Sequence, residues 1–518
     1  MSPQLSEMGF RIKVTKKTLQ LKQLLEGYPV SHVSGDLSVG IVGLAYDSRR
    51  VKPGFLFTAL KGHNLDGRRF IDEAVSKGAV AVVQESSGGH DEGEPKTAHR
   101  EGVVQIQVKD AREALSQLAA RFYDNPFSGI PLIGITGTNG KTTTSYLLES
   151  ILSKAGKRPG IIGTINYRTL GRIWEASVTT PESLDLMRIM GQMASEKVTH
   201  IVMEVSSHAL HQGRVRNCPF HTAIFTNLSR DHLDYHETMD SYFATKSLLF
   251  KGLSKNIHDE SVRAVINWDD PRGKELAELT KVPILTYGLG AGCDVTAEEI
   301  SMTAQGVTAK LVTPAGPIGI QSPLIGDFNL YNILAATAGA LSVGIALEHI
   351  SSGIGYLQGV PGRLERVGND HSLSIIIDYA HTPDALSKSL DALRKLTGGR
   401  LITVFGCGGN RDRGKRSEMG FVAGRKSDMV FITSDNPRDE NPALIAEQIE
   451  EGVRKSNAKH YHLDLDRKSA IRKAVKEAHL DDIVLIAGKG HETYQVIAGK
   501  KKLFDDRETA AEAATLLQ

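Results

Sequence analysis

The stretch ITGTNGKTTT at residues 135–144 follows an apolar run, PLIGIT (131–136), and leads into a helical pattern, SYLLESILSKAG (145–156). Strand, glycine-rich turn and helix in that order are the setting a phosphate-binding loop requires. Gly137 and Gly140 free backbone N–H groups, which gather around phosphate oxygens at the helix N-terminus. Gly137, Thr138, Asn139, Gly140, Lys141, Thr142 and Thr143 are therefore expected to cradle a nucleotide, ATP or GTP. Lys141 adds a mobile cation and Thr142 a hydroxyl able to ligate Mg²⁺. The pattern departs from the strict G-x-x-x-x-G-K-[ST], because Ile135 stands at the first glycine position and Gly134 lies one residue earlier. A chance glycine turn is the bland alternative, and the flanking strand and helix count against it. An N-K-x-D motif for reading guanine is absent, as is an L-S-G-G-Q transporter signature.

Outward from this loop, apolar runs alternate with helical stretches between about 130 and 360: LIGIT (132–136), HIVMEV (200–205), TAIFTNL (222–228) and AVINW (264–268). Such alternation predicts a mostly parallel, doubly wound sheet with helices on both faces. Before it come a helical pattern, Leu19, Leu21, Leu24 and Leu25, the strand-like runs FLFTAL (55–60) and AVAVVQ (79–84), and the helix ALSQLAARFY (114–123). The polar, glycine-rich residues 85–102 read as a surface loop. Asn125-Pro126-Phe127 marks one boundary and Gly359-Val360-Pro361-Gly362 another; beyond it SIIIDYA (374–380), LITVFG (401–406), MVFITS (429–434) and IVLIAG (483–488) repeat the α/β style. Three α/β domains are expected, at 1–127, 128–360 and 361–518, in keeping with 518 residues at roughly 150 per domain.

Composition narrows the function. Lys+Arg 62 minus Asp+Glu 60 gives +2, a balance that offers no field for nucleic acid or an anionic membrane. Three distant cysteines, Cys218, Cys293 and Cys407, suit a reducing compartment. The N-terminus MSPQLSEMGFRIKVTKK lacks an apolar run, and no stretch of about 20 uncharged apolar residues occurs, so a soluble, cytoplasmic protein is expected, as a monomer.

Three segments of the middle domain are dense in polar and metal-competent residues: TTPES (179–183), EVSSHALHQGR (204–214) and TNLSRDHLDYHETMDSYFATKSLLF (226–250). Glu204 and Asn227 end apolar runs, at the carboxyl edge where doubly wound sheets bind ligands. Thr142, Glu204 and His232 are candidates for Mg²⁺, a hard cation that takes oxygen ligands and tolerates one imidazole. Each histidine taken alone reads as an ordinary surface or core residue.

TGTNGKTTT, TTPES, EVSSHAL, NLSRDHLDYH followed by Lys246, DYAHTPDAL (378–386), FGCGGNRDRGKR (405–416), SDNPRDENP (434–442) and AGKGHETYQ (487–495) together resemble the Mur ligase family, from DSRRVKPGFLF (47–57) onward. The resemblance implies three domains: an N-terminal one for a UDP-sugar, a central P-loop one for ATP and a Rossmann-like C-terminal one for an amino acid. It implies an ATP-dependent, amide-forming ligase that adds meso-2,6-diaminopimelate to the D-glutamate of UDP-N-acetylmuramoyl-L-alanyl-D-glutamate, through an acyl phosphate, in peptidoglycan synthesis.

By matching motifs, Tyr46, Ser48, His63, Asn64 and Leu65 correspond to uridine-diphosphate contacts, with His63-Asn64 standing where the family has His-Gln. Thr179, Thr180, Ser206, Gln212 and Arg214 correspond to contacts with the rest of that substrate. Asn332, Arg363, Asp378 and His381 join the loop residues as ATP contacts. Arg411, Asp435, Asn436, Pro437, Arg438, Gly488 and Glu492 correspond to the diaminopimelate site, with paired arginines opposite Asp435 and Glu492. Lys141, His232 and Lys246 are the expected catalytic residues. Lys246 is expected to be carbamylated by CO₂ into a carboxylate-like Mg²⁺ ligand, which needs a neutral amine of the kind desolvation favours; an ordinary snorkelling lysine is the alternative. The arginine of DNPR, Arg438, separates a diaminopimelate enzyme from lysine-adding relatives. The rivals are the lysine-adding, dipeptide-adding and folylpolyglutamate-forming ligases, and a regulatory P-loop ATPase without ligase activity.

Overall fold

A computed structural model describes residues 18–62, 65–86, 102–253, 261–303 and 305–517. His63, Asn64 and nearly all of the loop expected at 85–102 lie outside the described residues. The chain forms two compact units. The first is Met1–Gly134, Lys157–Thr222 and Thr245–Val262; the second is Ile135–Gly156, Ala223–Ala244 and Arg263–Gln518.

In the first unit five strands lie in the order His32–Ser34, Val104–Val108, Ala79–Glu85, Phe55–Thr58, Gly43–Ala45, parallel except for the antiparallel His32–Ser34 edge. The predicted helix runs Ala111–Phe122; Asp110 caps it by accepting the N–H groups of Arg112 and Glu113. That helix packs on Ser183–Ser195. Strands Pro159–Ile162 and His200–Glu204 pair in parallel, and an antiparallel hairpin, Asn166–Thr169 with Arg172–Glu175, extends them. The helical pattern read from Leu19 begins only at Leu21. Leu19–Gln20 is extended because it pairs with Gly40–Ile41, and the helix is just Leu21–Leu25.

In the second unit the helix Lys141–Lys154 follows the glycine loop and packs against Asp327–Ser342 and Leu347–Tyr356. Residues 296–322 correct the expectation of a mostly parallel region. They form a three-stranded antiparallel sheet, Thr296–Thr303, Gly306–Thr313 and Gly316–Ser322. Its cause is period 2: Val307, Ala309, Leu311 and Thr313 are buried while Thr308, Lys310 and Val312 alternate outward.

The C-terminal part of this unit is a six-stranded sheet in the order Glu365–Arg366, Ser374–Asp378, Ile483–Ala487, Leu401–Phe405, Met429–Ile432, Tyr461–Leu463, parallel except at its first strand. Alternate residues feed two cores. Ile376, Val430, Ile432, Ile483 and Leu485 meet helices Pro383–Arg394, Gly414–Lys426 and Pro442–Lys455; Ile375, Ile377, Phe431, Val484 and Ile486 meet Arg467–Glu477 and Asp506–Thr515. Both faces being covered, the strands read as continuous apolar runs. Polar groups gather at the carboxyl ends, where the four recognised motifs follow four strands.

One buried ion pair fixes that edge. Arg467, the first residue of its helix, donates from Nε to Asp506 Oδ1 at 2.8 Å and from Nη2 to Asp506 Oδ2 at 2.7 Å, and Nη2 also reaches the Ala487 carbonyl at 3.0 Å. Neither side chain has accessible surface. Removing one partner strands a buried charge, so Asp506→Ala is expected to destabilise the protein by about 3–5 kcal/mol, whereas Arg467→Met with Asp506→Leu recovers most of the loss. Urea-unfolding midpoints of the three proteins check this; a small shift for Asp506→Ala contradicts it.

Candidate functional site

The second unit holds the phosphate loop. Gly140 takes φ 88 as the cap of Lys141–Lys154. Gly137 takes φ 145, and a Cβ there would lie 1.9 Å from Thr226 Oγ1. The neighbouring strand ends at Phe225, so Asn227 sits two residues past it rather than at its end, in the loop that clasps the glycine turn. Thr226 Oγ1 donates to the Asn139 carbonyl at 2.6 Å; Asn227 Oδ1 accepts the Asn139 N–H at 3.0 Å, and the Asn227 carbonyl accepts the Thr138 N–H at 2.9 Å. Lys141 Nζ turns back to the carbonyls of Gly137 (2.8 Å) and Thr138 (2.9 Å). Buried Asn332 donates to Asn329 Oδ1 and abuts Gly140.

Residues from the C-terminal sheet reach the same loop. Arg363 Nη2 donates to Thr142 Oγ1 at 3.3 Å, and its guanidinium lies 4.6 Å from the Tyr379 ring centre. Asn139 Nδ2 donates to Asp384 Oδ2 at 3.4 Å. Asp378 faces inward: its carboxylate accepts the N–H groups of Leu364 and Ala380 and the Ser389 hydroxyl, so it sets the backbone beside Arg363 and His381. Burial raises its carboxyl above the usual range against the pull of those N–H groups and of Arg363. Tyr379 stands between His381 and His491, with ring centres 4.6 and 5.2 Å away. Burial lowers the pKa of both imidazoles, helped by Lys415 at His381 and by Arg363 at His491, whose pKa falls to about 4.

Asp231, which sequence reasoning passed over, joins this group. Burial works to raise its carboxyl, but His232, His381 and Lys141 outweigh it and hold it below the usual range. Asp231 Oδ2 lies 3.4 Å from His232 Nε2. Among the described residues no group of three or more His, Cys, Asp or Glu is arranged to hold a metal ion.

At the far side of the C-terminal sheet edge, Arg438 is held in the left-handed region, φ 53, by a backbone bridge. Its N–H meets the Val496 carbonyl, and its own carbonyl takes the Ala498 N–H. Its Nη1 donates to the Gly409 carbonyl at 2.7 Å. Gly409 is required here, since a Cβ would lie 2.0 Å from the Pro437 carbonyl. Of the two arginines matched to the amino-acid site, Arg411 is exposed; the cation in contact with both Asp435 and Glu492 is Lys489. The basic glycine loop is likewise not all solvated, because Arg416 is fully buried on Glu440, Gln448 and the Gly408 carbonyl. Gly488, at φ 111, carries the chain past Asp435.

The first unit gathers the residues matched to the sugar substrate. Thr180 Oγ1 donates to the Glu204 carbonyl (2.8 Å) and accepts the Ser206 N–H (3.0 Å); Arg214 bonds the Thr180 carbonyl and Gln212 Oε1. Thr179 meets Thr164, whose hydroxyl and N–H both bond the Glu204 carboxylate. Thr164 was missed, although it follows an apolar run as Glu204 does. Tyr46 is engaged with Asp185 (2.5 Å) and Ser48 with Glu73 (2.7 Å), while Leu65 is exposed. Lys246 is 2 % exposed, which excludes the snorkelling alternative.

Comparison with known proteins agrees with this arrangement. The Mur ligase family catalytic domain matches residues 40–123, the Mur ligase middle domain 135–340, and the Mur ligase glutamate ligase domain 362–490. A UDP-N-acetylmuramoyl-L-alanyl-D-glutamate--2,6-diaminopimelate ligase of Geobacter metallireducens is 45% identical over 510 residues, 96% of this chain and 98% of its own. The protein of that name from Solibacter usitatus is 47% identical, covering 91% and 93%. A solved structure of an enzyme with the same name is 32% identical, with a TM-score of 0.67 over 96% of this chain and 99% of its own. The MurF ligase of Thermotoga maritima in complex with ADP shares the fold, at 21% identity and a TM-score of 0.61 over 91% and 96%. Fold and site define a three-domain α/β ATP-dependent ligase. The chain belongs to the Mur ligase family.

Because Lys141 is a half-buried charge at the first position of its helix rather than a core group, Lys141→Ala is expected to lower turnover by a factor of about 10²–10³ with little change in melting temperature. ADP release measured beside a thermal melt checks both; near-normal turnover contradicts the assignment.

Proposed function

We propose that the chain joins meso-2,6-diaminopimelate to the D-glutamate of UDP-N-acetylmuramoyl-L-alanyl-D-glutamate, as a cytoplasmic monomer serving peptidoglycan synthesis. Its three domains are taken as 1–127, 128–360 and 361–518; each matched family segment falls inside one of them. Among the described residues no helix is long and apolar enough to cross a membrane. One observation carries the substrate reading: the DNPR loop presents Arg438 at a fixed φ three residues from Asp435, which with Glu492 forms an acidic pair that keeps part of its surface accessible. Diaminopimelate brings two ammonium and two carboxylate groups, so it offers an ammonium for that pair and a distal carboxylate for the guanidinium. The relatives that share the full length carry the corresponding name.

The reaction runs in two steps. The D-glutamyl carboxylate attacks the γ-phosphorus, the bond to the bridging oxygen breaks, and an acyl phosphate and ADP result. The amine of diaminopimelate then attacks the acyl carbon, phosphate leaves with the C–O electron pair, and the amine proton passes to solvent. Lys141 releases the loop carbonyls to meet the γ-phosphate, and the glycine-loop N–H groups hold the rest. Thr179, Thr180, Ser206, Gln212 and Arg214 orient the muramoyl-dipeptide. Each unit carries donors whose chemistry fits Mg²⁺: Thr142 and His232 in the second, Glu204 and carbamylated Lys246 in the first. When bound, Mg²⁺ offsets charge on the transferring phosphoryl group. The test of the whole reading is ADP formation across an amino-acid panel, dependent on both the UDP-muramoyl-dipeptide and the amino acid.

Lys246 has almost no solvent contact, and carbamylation would add its nitrogen to CO₂ with loss of a proton, giving the site a carboxylate-like group in place of an amine. Lys246→Ala is expected to be inactive and to regain part of its activity with short carboxylates or bicarbonate. Lys246→Arg stays inactive, since guanidinium forms no carbamate. Intact mass of active, substrate-bound enzyme without the added CO₂ contradicts this.

Arg438 decides between diaminopimelate and lysine, which differ by one distal carboxylate. Losing one member of such a charge pair costs about 2–5 kcal/mol, on the order of 30- to several-thousand-fold in kcat/KM. Lysine is therefore expected to be a poor substrate, and Arg438→Ala to lose efficiency with diaminopimelate in that range at nearly unchanged KM for ATP. Equal use of lysine by the unaltered enzyme, or loss of ATP binding in the variant, contradicts the assignment.

A further inference from the structure

Lys489 is among the largest fully buried side chains of the molecule, and the reaction as derived gives it no task. Its Nζ lies 3.1 Å from Glu492 Oε2, 3.2 Å from Asn436 Oδ1 and 3.5 Å from Asp435 Oδ1. Asn436 closes the ring: its Nδ2 donates to the same Glu492 Oε2 at 2.8 Å, and its Oδ1 also accepts the Val496 N–H at 2.9 Å. Exposure gives this cluster a direction. Lys489 is 0% accessible, whereas the side chains of Asp435 and Glu492 retain 11% and 19%. The acids thus form the accessible face and the lysine lies behind them, where it touches no ligand held in front.

We propose that Lys489 is a positioning residue for the incoming diamino acid: it fixes the Asp435 and Glu492 carboxylates from behind so that both are aimed at one substrate ammonium. Two carboxylates and one lysine carry a formal charge of −1 together, which matches a single ammonium. Two donors, Lys489 Nζ and Asn436 Nδ2, fix Glu492 through its Oε2. The inference rests on the diaminopimelate reading above.

The experiment compares the full-length enzyme with Lys489→Met and Lys489→Gln by steady-state ADP release, varying diaminopimelate, ATP and UDP-muramoyl-dipeptide in turn. Turnover of diaminopimelate by the unaltered enzyme tests the substrate reading separately. The expected result is a rise of about thirtyfold or more in KM for diaminopimelate, with KM for the other two substrates within about threefold. An unchanged KM for diaminopimelate, or a common shift in all three, overturns the proposal. If Lys489→Met does not fold, Lys489→Met with Glu492→Gln removes the stranded charge as well. That double variant is expected to fold and to lose less than the combined losses of Glu492→Gln and Lys489→Gln measured singly, because the lysine acts in part through that acid; fully additive losses overturn the proposal.

Discussion

Asn227 reads both backbone groups of one residue, accepting the Asn139 N–H at Oδ1 and donating from Nδ2 to the Asn139 carbonyl at 3.2 Å. The nucleotide end of the second unit hangs on this clasp. A four-residue glycine turn has too few internal hydrogen bonds to hold one shape, and its backbone entropy cost is high. A side-chain amide that satisfies both backbone groups of Asn139 makes the turn a fixed object. The same contact demands a residue without a side chain at 137, since the Thr226 hydroxyl occupies the space a Cβ would need. Loop composition and loop shape are thus one fact seen from two sides.

A comparable constraint governs the C-terminal sheet. Strands buried on both faces can place polar groups only at their ends, and the carboxyl ends carry every motif of that part. The Arg467–Asp506 pair ties the start of two helices to the Ala487 carbonyl, one residue before Gly488. Such a pair offers little net stability over an apolar pair, because desolvation offsets its attraction. Its value is geometric: a bidentate fork permits one relative placement of the helices, and the loops bearing Asp435 and Lys489 inherit that placement.

Much of this was legible in the residues. LIGIT, SIIIDYA, LITVFG, MVFITS and IVLIAG were strands because long apolar runs bounded by glycine and polar residues have few other uses. Residues 296–322 escaped because GVTAKLVT is a short alternating run within a region read as parallel, and Leu19 escaped because its pairing with Ile41 cannot be seen locally. The phosphate loop and the Thr180–Ser206–Arg214 cluster could be named from motifs. The role of Lys489 could not: Glu492 lies three residues away, but Asp435 and Asn436 lie more than fifty residues upstream, and only the sheet order brings them together. Arg416 was hidden for the same reason, its partner Glu440 being on another loop.

The Arg438 bridge to residues 496–498 has a consequence for engineering. Tyr494–Ile497 and Lys500–Leu503 form a hairpin whose two-residue turn, Ala498-Gly499, has positive φ at both positions, the geometry of a primed turn. The backbone of Arg438 is therefore bridged to a surface hairpin. Inserting or deleting one residue in that turn slips the ladder by one position and carries the arginine's anchor with it. On the reading proposed for Arg438, a library confined to residues 498–499 would retune amino-acid selectivity while the side chains around the phosphate loop stay as they are, a route equally open to natural divergence.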